Sequence, residues 1–390
     1  MPLYIAKESE IISGEATDVY FTRVKTILER ENMKDLKVRA EFHVYGLPPG
    51  YKWAVLSGLE EALYVMKGRE VDIYSLPEGT VFFEREPLMM IEGKYYDFAE
   101  MESIVLGILR HYSSITTRAA RMRVAAGEKT LLFFGLRSLH PALAPMADRA
   151  AFIGGVDAVS GVLSKKYNGL EPTGTMPHSL VIVFNDQSKA WISFDKHMDP
   201  SVPRIMLVDT FWDERAEAIL AAKTLGQRLE GVRLDTPGSR RGNMKKIAEE
   251  VRWALDLEGF KNVKIIISGG LDEEDVLELR DVADGFGVGT SIAFPPSVDI
   301  SMDIVEVKEG DRWIPRSKRG KLPGAKQLYM CSTNERYVLP WLSSPPTCKD
   351  GSIAKPILMK QMEAGKIVAQ SRSLHEIRSY VIDQLKTLEL

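Results

Sequence analysis

Four short runs decide the fold: IMLVDT (205–210), GVRLDT (231–236), KIIISGG (264–270) and GFGVGT (285–290). Each is apolar through its body and carries Asp, Ser, Thr or Gly at its C-terminal end. The helical stretches DERAEAILAAKTLGQRLE and NMKKIAEEVRWALDLEGF separate the first three, and LDEEDVLELRDVA separates the last two. Strands that are apolar along their whole length and alternate with helices belong to a parallel sheet covered on both faces. Upstream, KTLLFFGLR (129–137) and AFIGGVDAVSG (151–161) fit as earlier members of the set. A doubly wound sheet would show the same alternation but would gather its polar ends at one switch point. Here the polar ends recur on strand after strand. The expected fold is therefore α/β, a TIM-like β/α barrel, complete or incomplete.

Working outward, ATDVYFTRVKTILER (16–30) has Val19, Val24, Ile27 and Leu28 near helical spacing, with Thr17 and Asp18 as N-cap candidates. KVRAEFHVYGL (37–47) alternates Val38, Ala40, Phe42 and Val44 with charged or polar residues. VDIYSLPEGTVFFEREPLMMIEG (71–93) repeats that pattern around Pro77-Glu78-Gly79. Residues 36–95 thus read as a small antiparallel sheet with one wet face. The period turns helical from Asp97 to about Ala126. Beyond residue 300 come a strand at MDIVEV, a basic turn-rich segment at SKRGKLPGAK, and a closing amphipathic helix with Ile377, Val381, Ile382 and Leu385 on one face. The expected partition is an N-terminal α+β cap (1–110), a barrel (111–300) and a short C-terminal extension (301–390) packing back on the N-terminal domain.

The composition narrows the class. With 51 Lys+Arg against 54 Asp+Glu, the net charge is −3, which gives no global field for a nucleic-acid backbone or an anionic membrane. No apolar run approaches the roughly 20 residues of a bilayer span, and MPLYIAKESEIISGE lacks a signal-peptide core. These features point to a cytoplasmic protein. Cys331 and Cys348 are the only cysteines, too few for a disulfide-framed secreted module. Two thiols are also too few for a structural zinc site, for which Asp350 would be the candidate third ligand.

A β/α barrel places its chemistry at the C-terminal ends of its strands. Applied here, the rule collects Arg137, Asp157, Asp209, Arg233, Asp235, Ser268, Gly269, Gly270, Gly287, Gly289 and Thr290 on one rim. The last two strands end in Gly-Gly and Gly-x-Gly-Thr, where exposed backbone N–H groups would hold a phosphate. Asp209, Asp235 and Asp157 would stabilise a developing cation or meet a divalent metal carried in on a polyphosphate. Each feature has a plainer reading: a Gly-x-Gly turn is often only a turn, and an Asp after a strand is often a helix N-cap. His178, in EPTGTMPHSLVIV, has on these grounds alone a structural reading. SRRGN (239–243) and SKRGK (317–321) are solvated loops or attractors of a small phosphorylated ligand. Metalloprotease, serine-hydrolase and Walker A motifs are missing from the sequence.

The ordered set TDVYF (17–21), FGLR (134–137), FIGGVDAVSG (152–161), GTMPHSL (174–180), VDT (208–210), RLDTPGSRRGN (233–243), ISGGLD (267–272), FGVGTSI (286–292) and KRGK (318–321) resembles the nicotinate phosphoribosyltransferases, which are type II phosphoribosyltransferases. The resemblance implies transfer of a phosphoribosyl group from phosphoribosyl pyrophosphate (PRPP) to nicotinate, giving nicotinate mononucleotide and pyrophosphate, in NAD biosynthesis. It also implies ATP as co-substrate, with His178 as the phosphorylated histidine, and Mg2+ on the pyrophosphate near Asp209 and Asp235. Tyr20 and Phe134 would sandwich the pyridine ring, Tyr20 reaching in from a partner subunit of a homodimer or larger homo-oligomer. Arg137 and Arg233 would bind anionic groups, with Asp157 near the base and Asp209 and Asp235 facing the ribose. Gly269, Gly270, Gly287, Gly289 and Thr290 would cradle the 5′-phosphate, with Ser268 a further substrate-binding residue, and Lys318, Arg319 and Lys321 would add charge. Some similar proteins carry a four-cysteine zinc knuckle in the C-terminal region; with only Cys331 and Cys348 here, zinc is not expected.

Rival readings are quinolinate or nicotinamide as the base, a barrel aldolase or isomerase acting on a sugar phosphate, and a phosphate-binding regulator. Quinolinate would demand more cations at the base pocket, and nicotinamide would leave an arginine unpaired. The aldolase would want a Schiff-base lysine, yet Lys129 and Lys264 begin their strands rather than end them.

Overall fold

The computed structural model describes residues 3–390. The chain forms two compact units. One takes in the chain up to Thr117 together with Pro296–Val381, and the other Arg118–Pro295 together with Ile382–Leu390.

In the second unit, six parallel strands form one sheet among the described residues: Thr130–Phe133, Ala158–Val159, Ile205–Leu207, Gly231–Leu234, Lys264–Ser268 and Gly285–Val288. Counted along the chain, their order across the sheet is 2-1-6-5-4-3. The chain therefore moves round in a single direction and the last strand pairs with the first, as in a barrel. The exception is the seam between the second and third strands, which do not pair. The sheet is a curled, incomplete barrel. The strands of four or more residues are almost wholly buried, apart from the leading Thr130 and Lys264. That burial accounts for their continuous apolar runs.

The run AFIGGVDAVSG differs from its expected reading as a strand. Its first part closes the helix Ala144–Ile153, and only Ala158–Val159 pairs in the sheet. The Ala, Met and Phe of APMADRAAFI suit a helix, and the strand begins only after the Gly154-Gly155 break. The open seam is bridged by chain: Thr173 N donates to Val159 O (2.8 Å), and Trp191 Nε1 donates to Leu207 O (3.1 Å). The helix His178–Phe184 lies between these two anchors in sequence.

The first unit is built on an antiparallel sheet that runs Arg312–Pro315, Ser301–Glu309, Lys37–His43, Pro87–Lys94, Val71–Ser75, Met359–Glu363, Lys366–Ile367. One face buries Val38, Ala40 and Phe42 with Leu63, Met66, Ile73, Phe98 and Leu109. The other face, expected to be wet, is covered. Arg39, Glu41 and His43 are 9%, 2% and 3% exposed. Arg39 pairs with Glu92 (2.7 Å) and Glu306 (2.9 Å), His43 Nε2 lies 2.9 Å from Asp303 Oδ2, and Lys326 Nζ reaches Glu41 (3.1 Å). Their cover is chain from beyond residue 300, which nothing in residues 36–95 announces. Buried charges persist when they are paired in this way.

The helix Val19–Arg30 also departs from its expected face. Phe21 and Leu28 are buried, whereas Val19, Tyr20 and Ile27 are exposed. Asp18 is the N-cap residue without capping through its side chain; its carboxylate accepts instead from Ser103 and from Tyr20 Oη (3.3 Å).

Cys331 and Cys348 form a disulfide beside the strands Lys326–Met330, Arg336–Pro340 and Lys355–Pro356. The cystine is buried with Tyr329 and Ala354 and forms the small core there. Glu335, rather than Asp350, is the carboxylate whose oxygen lies within 4.8 Å of both sulfurs. Asp350 accepts from Ser332 and Ser352 instead.

Candidate active site

The C-terminal ends of the barrel strands surround a cleft of about 300 Å³. Phe134, Arg137, Arg233, Asp235, Ser268, Gly269, Gly270, Gly287, Gly289 and Thr290 all line it, joined by Leu271, Asp272 and Ser291. Most of the residues expected on the rim are thus brought together because they share one end of neighbouring strands.

Two glycine loops shape the wall. Gly269 and Gly270 have φ of 96° and 74°, a region that L side chains rarely adopt. These angles turn the loop sharply after Ser268. At Gly287, a Cβ would stand 2.7 Å from the Phe134 ring, so glycine is what allows that aromatic ring to lie against the strand. Thr290 Oγ1 lies 2.7 Å from Ser138 Oγ, tying the Gly289 turn to the short helix Leu136–Ser138 that carries Arg137. Arg137 itself is exposed and has no ion-pair partner among the described residues.

Arg233 is a wall of the cleft rather than a free cation. Nη1 donates to Ser268 Oγ (3.0 Å) and Nη2 to Met176 O (2.9 Å), and Asp235 Oδ1 stands 3.2 Å away. Ser268 Oγ in turn donates to Asp235 Oδ1 (2.5 Å). Arg233 Nε is buried without a hydrogen-bond partner among the described residues.

His178 and Asp209 adjoin this wall through Asp235. Asp209 has a nearly buried side chain, and its Oδ1 lies 3.1 Å from His178 Nε2. Its Oδ2 accepts from the backbone N–H of Asp235 (2.8 Å) and lies 3.2 Å from Thr236 Oγ1. His178 Nδ1 faces Asp235 Oδ2 at 3.7 Å. The imidazole therefore stands between two carboxylates, and the hydrogen bond to Asp209 foremost raises its pKa above the usual histidine value, against the opposing effect of partial burial.

Besides His178 and Asp209, five expected members are not among the residues lining this cleft. Asp157 precedes the strand Ala158–Val159, at the N-terminal end of the sheet and away from the rim. Its Oδ2 accepts from Leu131 N (2.8 Å) and Arg123 Nη2 (3.3 Å). The expected place on the rim is therefore incorrect for it: the FIGGVD run turns into the strand just after Asp157, so this acid leads the strand instead of ending it. Tyr20 is an exposed residue of the first unit. Lys318 and Lys321, also of that unit, pair with Asp303 at 2.7 and 3.3 Å, and Arg319 is exposed between them. The sequence reading missed Thr236, Glu214 and Glu217, which support Asp209 through loops. Glu214 and Glu217 look in sequence like ordinary acids of a helix first turn.

The strand ends of this incomplete parallel barrel thus carry two glycine turns, paired carboxylates and a histidine held between them. Two family models match the chain: the quinolinate phosphoribosyl transferase N-terminal domain over residues 18–113 and its C-terminal domain over residues 115–303. A nicotinate phosphoribosyltransferase of Bacillus subtilis (strain 168) is 28% identical over 360 residues, covering 80% of this chain and 72% of that one. Another, of Mycobacterium tuberculosis (strain CDC 1551 / Oshkosh), is 31% identical over 269 residues, covering 66% and 56%. The crystal structure of a nicotinate-nucleotide pyrophosphorylase from Pyrococcus furiosus is 49% identical, covers 100% of both chains and superposes with a TM-score of 0.97. The chain belongs to the nicotinate phosphoribosyltransferase family.

Proposed function

We propose that the cleft transfers the phosphoribosyl group of PRPP to nicotinate, releasing nicotinate mononucleotide and pyrophosphate, with His178 coupling the reaction to ATP. One observation supports the choice of base: Arg137, which has no ion-pair partner among the described residues, lines the cleft together with Phe134. One cation and one aromatic face suit a pyridine with one carboxylate. Quinolinate, with two, would leave a charge unmatched. Nicotinamide, with none, would leave Arg137 without a partner.

The residues divide the work. Backbone N–H groups of the Gly269–Gly270 and Gly287–Gly289 turns hold the 5′-phosphate. As the bond from ribose C1 to pyrophosphate breaks, positive charge grows on the ribose. The Asp235 carboxylate, partly exposed at the cleft wall, stabilises it. The nicotinate ring nitrogen, held by Phe134 and Arg137, then attacks C1; no general base is needed for a lone pair already available. Asp235 would hold a magnesium ion carried in on the pyrophosphate, and the ion would supply charge neutralisation for that leaving group. Asp235 fits that role better than Asp209, both of whose oxygens are engaged. With Nε2–H donated to Asp209, Nδ1 of His178 keeps its lone pair and is the nitrogen that would take the γ-phosphoryl group of ATP as the bond to the β-phosphate breaks and ADP leaves.

We further assign the protein to the cytoplasm and to a homo-oligomer. No helix among the described residues is long and apolar enough to cross a membrane. The exposed Val19, Tyr20 and Ile27 side chains of one helix suit a subunit contact.

Two assays test the reading. Nicotinate should outcompete quinolinate and nicotinamide for turnover, and use of quinolinate alone would overturn the assignment. His178→Ala should lose stimulation by ATP while retaining slow phosphoribosyl transfer; undiminished stimulation would remove His178 from the coupling.

A further inference from the structure

The turn that follows Asp209 is held by one buried carboxylate. Glu217 is fully buried and accepts from the backbone N–H groups of Thr210 (3.2 Å), Phe211 (2.8 Å) and Trp212 (2.8 Å). It belongs to the first turn of the helix Glu214–Leu225. From the same turn, Glu214 accepts a hydrogen bond from Thr236 Oγ1, the hydroxyl that also lies 3.2 Å from Asp209 Oδ2. Two acids of one helical turn thus grip the loops after two neighbouring strands, those that lead to Asp209 and Asp235.

Helix initiation does not explain this arrangement. Asp213 is the N-cap residue and its carboxylate already accepts from Ala216 N at 2.9 Å. Burial of the turn's own side chains does not explain it either, since Phe211 and Trp212 are 44% and 58% exposed. Burying a carboxylate is costly unless charge-assisted hydrogen bonds offset the loss of water, and Glu217 obtains three of them from one turn. The backbone that carries Asp209 is therefore fixed from a residue outside the cleft.

We propose that Glu217 is a positioning residue for the His178–Asp209 pair, a role that rests on the reading of that pair as the site of ATP coupling. Through the 210–212 turn it sets where the Asp209 carboxylate stands, and so how the imidazole is oriented. Groups that orient the partner of a reactive side chain typically change turnover by about 10- to 100-fold.

The test compares Glu217→Ala, Glu217→Gln and Asp209→Asn in the full-length enzyme. It reads amide hydrogen exchange across residues 208–213, thermal stability, and kcat and KM with and without ATP. Both Glu217 variants should exchange faster at 210–212. Glu217→Ala should lower ATP-stimulated kcat by about 10- to 100-fold with the KM for nicotinate changed less than about twofold, because Phe134 and Arg137 sit on a different loop. Glu217→Gln, which keeps one acceptor oxygen, should recover part of kcat. Faster exchange with unchanged kcat, unchanged exchange, or a kcat loss matched by loss of folded protein would each overturn the positioning role. If Asp209→Asn depresses ATP-stimulated turnover and the Glu217 variants do not, only the positioning role falls. If Asp209→Asn has no effect either, the reading of the site falls and takes this role with it.

Discussion

The two ends of the parallel sheet use the same residue types for different work. At the starts of alternate strands, an acid immediately before the strand grips its neighbour. Asp157 N donates to Leu131 O while Asp157 Oδ2 accepts from Leu131 N. Glu230 does the same with Arg204, and Asp284 with Ile265. Each acid closes a two-bond ring with the backbone of one residue on, or immediately before, the preceding strand and extends the ladder by a step. At the strand ends, Asp209 and Asp235 bond a histidine, an arginine and a serine around a cleft. An acid at the start of a strand aligns it. At the end of a strand the partly exposed Asp235 carboxylate can face a ligand, while Asp209 is engaged by His178 and by the Asp235 backbone.

The largest expected effect of breaking this contrast is at the strand ends. Asp209→Asn keeps the shape but removes the charge that holds the His178 proton. Turnover should fall by about 10²- to 10³-fold, the usual loss when one preorganised electrostatic group is removed. The melting temperature should move little. Steady-state kinetics on the folded variant would check it, and activity within about tenfold of the parent would break the contrast.

The contrast also explains what could be read in advance. The body of each barrel strand is legible because burial on both faces leaves an unbroken apolar run, and the rim follows once strand direction is known. Phe134, Arg137, Arg233, Asp235 and the glycines therefore converge as expected. Asp157 was misplaced because AFIGGVDAVSG contains both a helix end and a two-residue strand, and the acid sits at the join. A shift of a few residues in the strand boundary moves such an acid from one end of the sheet to the other. Burial of Arg39, Glu41 and His43 was not legible at all, since their partners Glu306, Lys326 and Asp303 lie more than 250 positions away in the chain. Glu217 could have been suspected only from Asp213 already supplying the cap four residues earlier.

An acid at neither end gives the next effect. Asp148, in the helix Ala144–Ile153, is fully buried, and burial pushes its pKa up to about 7, only partly offset by Ser164 and the Gly161 amide. The folded state thus holds the proton more tightly than the unfolded chain does. The resulting stability is fully present below about pH 4 and is lost as pH rises through about 7, an upper limit of about 4 kcal/mol for a displacement of about three pH units. Asp148→Asn, neutral at every pH, should flatten that slope and melt higher than the parent at pH 8. Calorimetry at pH 5 and pH 8 would decide it, and parallel slopes for the two proteins would refute the assignment.

The smallest effect is expected at Asp157, and it bears most directly on the two ends. Asp157→Asn retains an oxygen that can accept from Leu131 N but loses the charge assistance and the attraction to Arg123. Its side chain is 37% exposed, so solvent screens much of that attraction and the cost should be about 1 kcal/mol or less. The KM for nicotinate and kcat should remain within about twofold of the parent, because Asp157 stands at the far end of the strands from Phe134 and Arg137. A rise in KM for nicotinate without a fall in stability would mean that Asp157 reaches the base after all. The separation of aligning acids from reacting acids would then fail at the residue where the sequence first blurred it.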